Sequence, residues 1–107
     1  MKKLGRFEIP IYKHLVVLYL GLPDDVKPNT SAYCVLEKDK QVVGIYVSDK
    51  STWPDVVHEI VHAADFILAN IGAEMGCAPG DSEVRAYLVG FMTEKIEKIQ
   101  KNIKRDE

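Results

Sequence analysis

The chain has only two cysteines, Cys34 and Cys77, and they are too far apart to form a C-x-x-C pair. That excludes a disulfide-stapled small domain and a cysteine-built zinc knuckle, and free thiols are expected. Long apolar runs are also missing. The longest, Leu15 to Leu20, is far below the roughly 20 residues a membrane-spanning helix needs. No small-residue cleavage site follows it in secretory style, so neither a signal peptide nor a membrane partner is expected, and the expected location is cytoplasmic. Basic clusters are short: Lys2-Lys3, then Lys101 with Lys104-Arg105, in a chain of net charge -2. Nucleic acid is not an expected partner. There is no internal repeat and no low-complexity segment. What remains is 107 residues, 47% hydrophobic and 28% charged, which fits one globular domain, 1–107, around one modest core.

Within that chain one stretch carries chemistry. His58-Glu59-Ile60-Val61-His62 is an H-E-x-x-H pattern. On a helix it places two imidazoles one turn apart, where they can hold zinc beside a glutamate that handles protons. The flanks predict that helix. Thr52 reads as N-cap, with Asp55 three residues on in a variant capping box, Pro54 in the first turn and Gly72 as the stop. At about 100° per residue, His58, His62, Asp65 and Ala69 share one face, while Val56, Val57, Ile60, Ala64, Ile67 and Ile71 share the side expected to be buried. The bland alternative is a helix with two incidental histidines.

Around the motif the pattern is α+β. Met1 to Pro10 predicts a short edge strand broken by Pro10, and His14 to Leu20 a buried strand. Gly21 to Thr30 is rich in turn formers and predicts a long loop. Ser31–Glu37 and Gln41–Val47, separated by Lys38-Asp39-Lys40, predict a hairpin. A turn-rich link, Gly72 to Gly80, precedes a second helix starting near Gly80 or Asp81 and running to about Ile103. Leu88, Met92, Ile96, Ile99 and Ile103 form its apolar stripe. Its charged far end, from Glu94, predicts a solvated, projecting stretch.

Two histidines leave a zinc site short, because catalytic zinc commonly takes three protein ligands. Glu83 is the leading candidate for the third. It shares a helical face with Tyr87, Gly90 and Glu94, and Gly90 would admit close approach of the motif helix. Its other role would be a first-turn acid favoured by the helix dipole. Asp81 reads as an N-cap, Glu74 sits in the link, and His14 begins a strand and reads as structural or surface. Asp65 suits an acceptor for a ligating imidazole better than a direct ligand. Glu59 leaves the helix at a different angle and suits a general base for a zinc-activated water. Tyr87 could donate a hydrogen bond to the oxyanion, orient a ligand, or simply pack.

Val43-Gly44-Ile45-Tyr46-Val47-Ser48, then His58-Glu59-Ile60-Val61-His62-Ala63-Ala64-Asp65, with Glu83-Val84-Arg85-Ala86-Tyr87 on the next helix, resembles the small phage- and prophage-encoded zinc metallopeptidases of minimal, gluzincin-like zincin type. The resemblance runs from about Val42 to Leu88. It implies a short three- or four-stranded sheet packed on an active-site helix, with a second long C-terminal helix. It also implies Zn2+ held by His58, His62 and Glu83, and a peptide or protein substrate laid on a sheet edge supplied by the hairpin. A phage-encoded chain would act in the host cytoplasm. The expected activity is peptide or amide hydrolysis with Glu59 as general base. The alternative is a non-catalytic binding or regulatory protein with a structural or vestigial zinc site.

Overall fold

The computed structural model describes residues 2–10, 12–22, 30–72 and 79–106, with the side chains of 38, 79–82 and 104–106 left aside. The long loop, the inter-helix link and Glu74 and Cys77 within it fall largely or wholly outside those residues.

Four strands and two helices form an α+β fold. Strand β1 spans Lys2–Ile9, β2 His14–Leu20, β3 Ala32–Glu37 and β4 Val42–Val47. They make one sheet in the order β1-β2-β4-β3. β1 is the expected edge strand, and Pro10 lies just past its end. β3 and β4 form the expected hairpin, antiparallel from Ala32↔Val47 to Glu37↔Val42. A short 3-10 turn at Lys38–Lys40 and Gln41 at positive φ close it. β2 and β4 pair in parallel at the centre of the sheet.

Helix α1, Trp53–Asn70, forms where its caps direct. The Thr52 side chain accepts from the Asp55 N–H, Asp55 Oδ2 accepts from the Thr52 N–H at 2.9 Å, and Pro54 occupies the first turn. Gly72 at φ +77° follows the C-cap Ile71, a conformation that favours glycine at a helix end. The buried side of α1 is broader than the expected stripe. It includes Glu59, Ala63 and Leu68, whereas Ile71, as the cap, is exposed.

Helix α2, Pro79–Asp106, begins with proline, so Asp81 lies inside its first turn and is not the N-cap. Leu88, Met92 and Ile96 are buried as expected. The far end does not project freely. Ile96 is fully buried, and a Cβ added at Gly5 of β1 would lie 2.9 Å from Ile99 Cδ1. The charged residues there lie outward and pair along the helix, Lys98 with Glu94 and Lys101 with Glu97. α1 covers β3 and β4, and α2 covers β1 and packs against α1. The core is the layer between, with Val16, Leu18, Val43 and Ile45 from the sheet against Ile60, Ala64, Ile67 and Met92 from the helices. No helix among the described residues is long and apolar enough to cross a membrane.

Candidate metal centre

Because α1 turns its apolar side to the sheet, the opposite side is left to water, and both motif histidines stand on it. His58 Nε2 and His62 Nε2 are 3.1 Å apart, with rings edge to face and centroids at 4.7 Å. The Phe66 ring lies stacked on His62, centroids 6.2 Å apart, an apolar support one turn further along. A carboxylate oxygen of Glu59 joins the two imidazoles: one ligand atom from each residue lies within 4.8 Å of the others.

Glu59 differs from its partners in burial. It keeps 8% exposure on α1, and its charge reaches the buried Cys34 of β3. Burial, and then the Glu59 charge, push the Cys34 thiol up to about 12. Beyond Glu59 a cleft of about 500 Å3 opens, bordered by Thr30, Ser31 and Ala32 at the start of β3 and by Pro54, Asp55 and His58 on α1. The Asp55 carboxyl is held below the usual carboxylate range, chiefly by the Thr52 N–H and hydroxyl. Ser51 donates to the Ser31 carbonyl, and Ser48 Oγ lies 3.4 Å from Ser51 Oγ, which ties the start of α1 to the start of the hairpin.

The donor set suits a cation. Two imidazole nitrogens each about 2.0–2.1 Å from a tetrahedral zinc would stand about 3.3 Å apart, close to the 3.1 Å found between His58 and His62. Borderline-soft imidazole with one hard carboxylate fits zinc and other divalent transition metals alike.

Glu83 and Tyr87 lie elsewhere. Leu88, Met92 and Ile96 define the buried side of α2, and at about 100° per residue Glu83, Tyr87, Gly90 and Glu94 centre on its opposite side. All four are exposed, Tyr87 to 82%. A Cβ at Gly90 would meet nothing within 4 Å, so Gly90 does not make the expected close approach to α1. The structure thus does not bring Glu83 to the histidines, and Tyr87 points to solvent. Asp65, expected to orient an imidazole, instead holds Arg85 of α2 at 2.9 Å, fixing the helix pair beside the site. His14 is fully buried and structural: its Nδ1–H donates to the Tyr12 carbonyl at 2.7 Å, and its Nε2 accepts from Asn70 Nδ2 at 2.9 Å.

Sequence reasoning missed the burial of Glu59 and the Arg85 contact. The first had a local signal, since Glu59 lies one turn before the small Ala63, where α1 meets the sheet. Set against models of known protein families, against characterised proteins and against solved structures, the chain shows no match.

Proposed function

We propose that the chain is a zinc-dependent hydrolase of peptide or amide bonds. The observation that carries it is the convergence of His58, His62 and Glu59, of which His58 and Glu59 line a cleft beside an edge strand. His58 and His62 would hold the metal, which when bound supplies a Lewis acid that polarises the carbonyl and acidifies water. Glu59, buried but lining the cleft, takes the proton from the attacking water and returns it to the leaving amine. A peptide substrate would lie along the outer edge of β3, which pairs with no other strand among the described residues and so can accept an added one. Thr30, Ser31 and Ala32 lead that edge past Glu59. The substrate class is an extended peptide, met in the cytoplasm.

A non-catalytic metal site has one observation in its favour. With Glu83 exposed on the far side of α2, the acid grouped with the two histidines among the described residues is Glu59 itself. A Glu59 consumed as third ligand is no longer a base.

Glu59→Gln separates the two. In the hydrolase, the variant keeps metal stoichiometry and affinity and loses turnover of a responsive peptide by at least about 100-fold. In the non-catalytic site, metal affinity itself falls tenfold or more and no peptide is turned over by either protein. Wild-type turnover left intact in Glu59→Gln would sink the hydrolase proposal.

A further inference from the structure

The outer face of the sheet, away from both helices, breaks the alternation that a water-facing sheet shows. β1 keeps it, with Lys3, Arg6 and Glu8 turned outward and exposed. The next three strands do not. Their registers align three straight rows across the sheet: Lys3–Tyr19–Tyr46–Tyr33, then Arg6–Val17–Gly44–Val35, then Glu8–Leu15–Val42–Glu37. Tyr19 and Tyr46 stack at 4.8 Å, and the Tyr46 ring bends over Gly44, where an added Cβ would be 3.0 Å from its Cε2. Val17 is only 3% exposed yet lies outside the core cluster, so it belongs to a second apolar patch. Parallel strand pairs such as β2 and β4 normally have both faces covered. Both helices lie on the other face.

We propose that a second copy of this chain covers the outer face, sheet against sheet, about a two-fold axis that crosses the strands at the middle row. The charges select this occupant and this axis. Turned about that axis, the first row meets the third: Lys3 faces Glu8 of the other copy, the Tyr33 hydroxyl faces the Glu37 carboxylate, and Tyr19 and Tyr46 lie over Leu15 and Val42. A two-fold along the strands would instead set Glu8 against Glu37. Arg6, on the axis, meets Arg6 of the other copy at the rim of the face. This orientation thus sets two Lys3–Glu8 pairs against one like-charge contact, whereas the other sets two Glu8–Glu37 contacts against no pair. The balance favours the isologous packing about the middle row. Facing sheets interdigitate at about 10 Å with strands rotated by some 30°, a spacing these side chains fill. Twelve positions a side are about half of the 20 to 30 in a standard interface, which places this contact among the small, non-obligate ones.

Sedimentation equilibrium of the full chain from about 1 to 500 μM, in chelator so that the exposed histidines cannot bridge copies through a metal, tests this. The expected result is a monomer–dimer equilibrium. Lys3→Glu and Glu8→Lys should each weaken it about tenfold, because the two-fold repeats every new like-charge contact. The double variant, which swaps the signs, should restore it. Leu15→Glu should abolish it, with circular dichroism confirming the fold. A monomer throughout the range overturns the proposal, as does a dimer that ignores all four variants or is not restored by the double swap.

Discussion

His58 Nε2 and His62 Nε2 face each other at 3.1 Å on the water side of α1, while Glu59 between them in sequence is buried against β3. One turn of helix thus carries two solvent-facing ligands and one sheltered acid. The apolar side of α1 sets that division.

The orientation of α2 can be tested at Gly90. It lies on the exposed side of a helix interior with open space around its Cα. Gly90→Ala should stabilise the protein by about 0.5–1 kcal/mol, the helix-propensity difference, read as a rise in urea midpoint. A loss of stability would mean that Gly90 packs against α1 and that Glu83 is turned toward the histidines.

The end of α1 depends on His14. Its ring is fully buried with both nitrogens bonded, to Tyr12 O and Asn70 Nδ2. His14→Leu leaves those partners unsatisfied and should cost about 2–3 kcal/mol, without changing metal affinity. Equal loss of metal and stability would assign His14 to the site instead.

Cys34 should be inert. With its thiol raised to about 12 by burial and then by Glu59, a thiol reagent at pH 8 should label the native protein at Cys34 at least 100-fold more slowly than the unfolded chain. The protonated thiol is the form the fold favours. Its contribution is therefore complete below the unfolded pKa near 9 and is lost as pH rises from there toward about 12. A Cys34→Ala variant should show a flatter fall in thermal midpoint across that alkaline window.

The start of α1 carries a test on the acid side. Thr52→Ala removes the hydroxyl that accepts from the Asp55 N–H and should destabilise by about 1 kcal/mol. The Asp55 carboxyl is held down by the Thr52 N–H first. Its contribution is present above the ordinary aspartate value and is lost as pH falls through the lowered native one. Asp55→Asn should therefore flatten the acid limb below about pH 4. An unchanged acid limb would show that the capping box is not populated in solution.

Much of this was legible locally. Thr52, Asp55, Pro54 and Gly72 mark the ends of α1 because capping uses neighbours in sequence. Lys38-Asp39-Lys40 marks the hairpin for the same reason. Glu83 is different. The stripe of Leu88, Met92 and Ile96 already placed Glu83 on the opposite side of α2, and the expectation of a third ligand there ran against that periodicity. The contact of Ile99 with Gly5 and the parallel pairing of β2 with β4 are long-range. No local pattern encodes them, and the alternating charges after Glu94 pointed the other way. Arg85 taking Asp65 likewise depends on how two helices meet, which neither helix states alone.

The exposed histidine pair of α1 is the proposed seat of the metal. Elemental analysis of gently purified protein, repeated after zinc loading and desalting, tests it most directly with His62→Ala and Glu83→Ala beside the wild type. Near one zinc per chain is expected in the wild type and in Glu83→Ala, and almost none in His62→Ala, whose fold should survive because His62 is exposed. Zinc absent from the loaded wild type, or retained in full by His62→Ala, would contradict it.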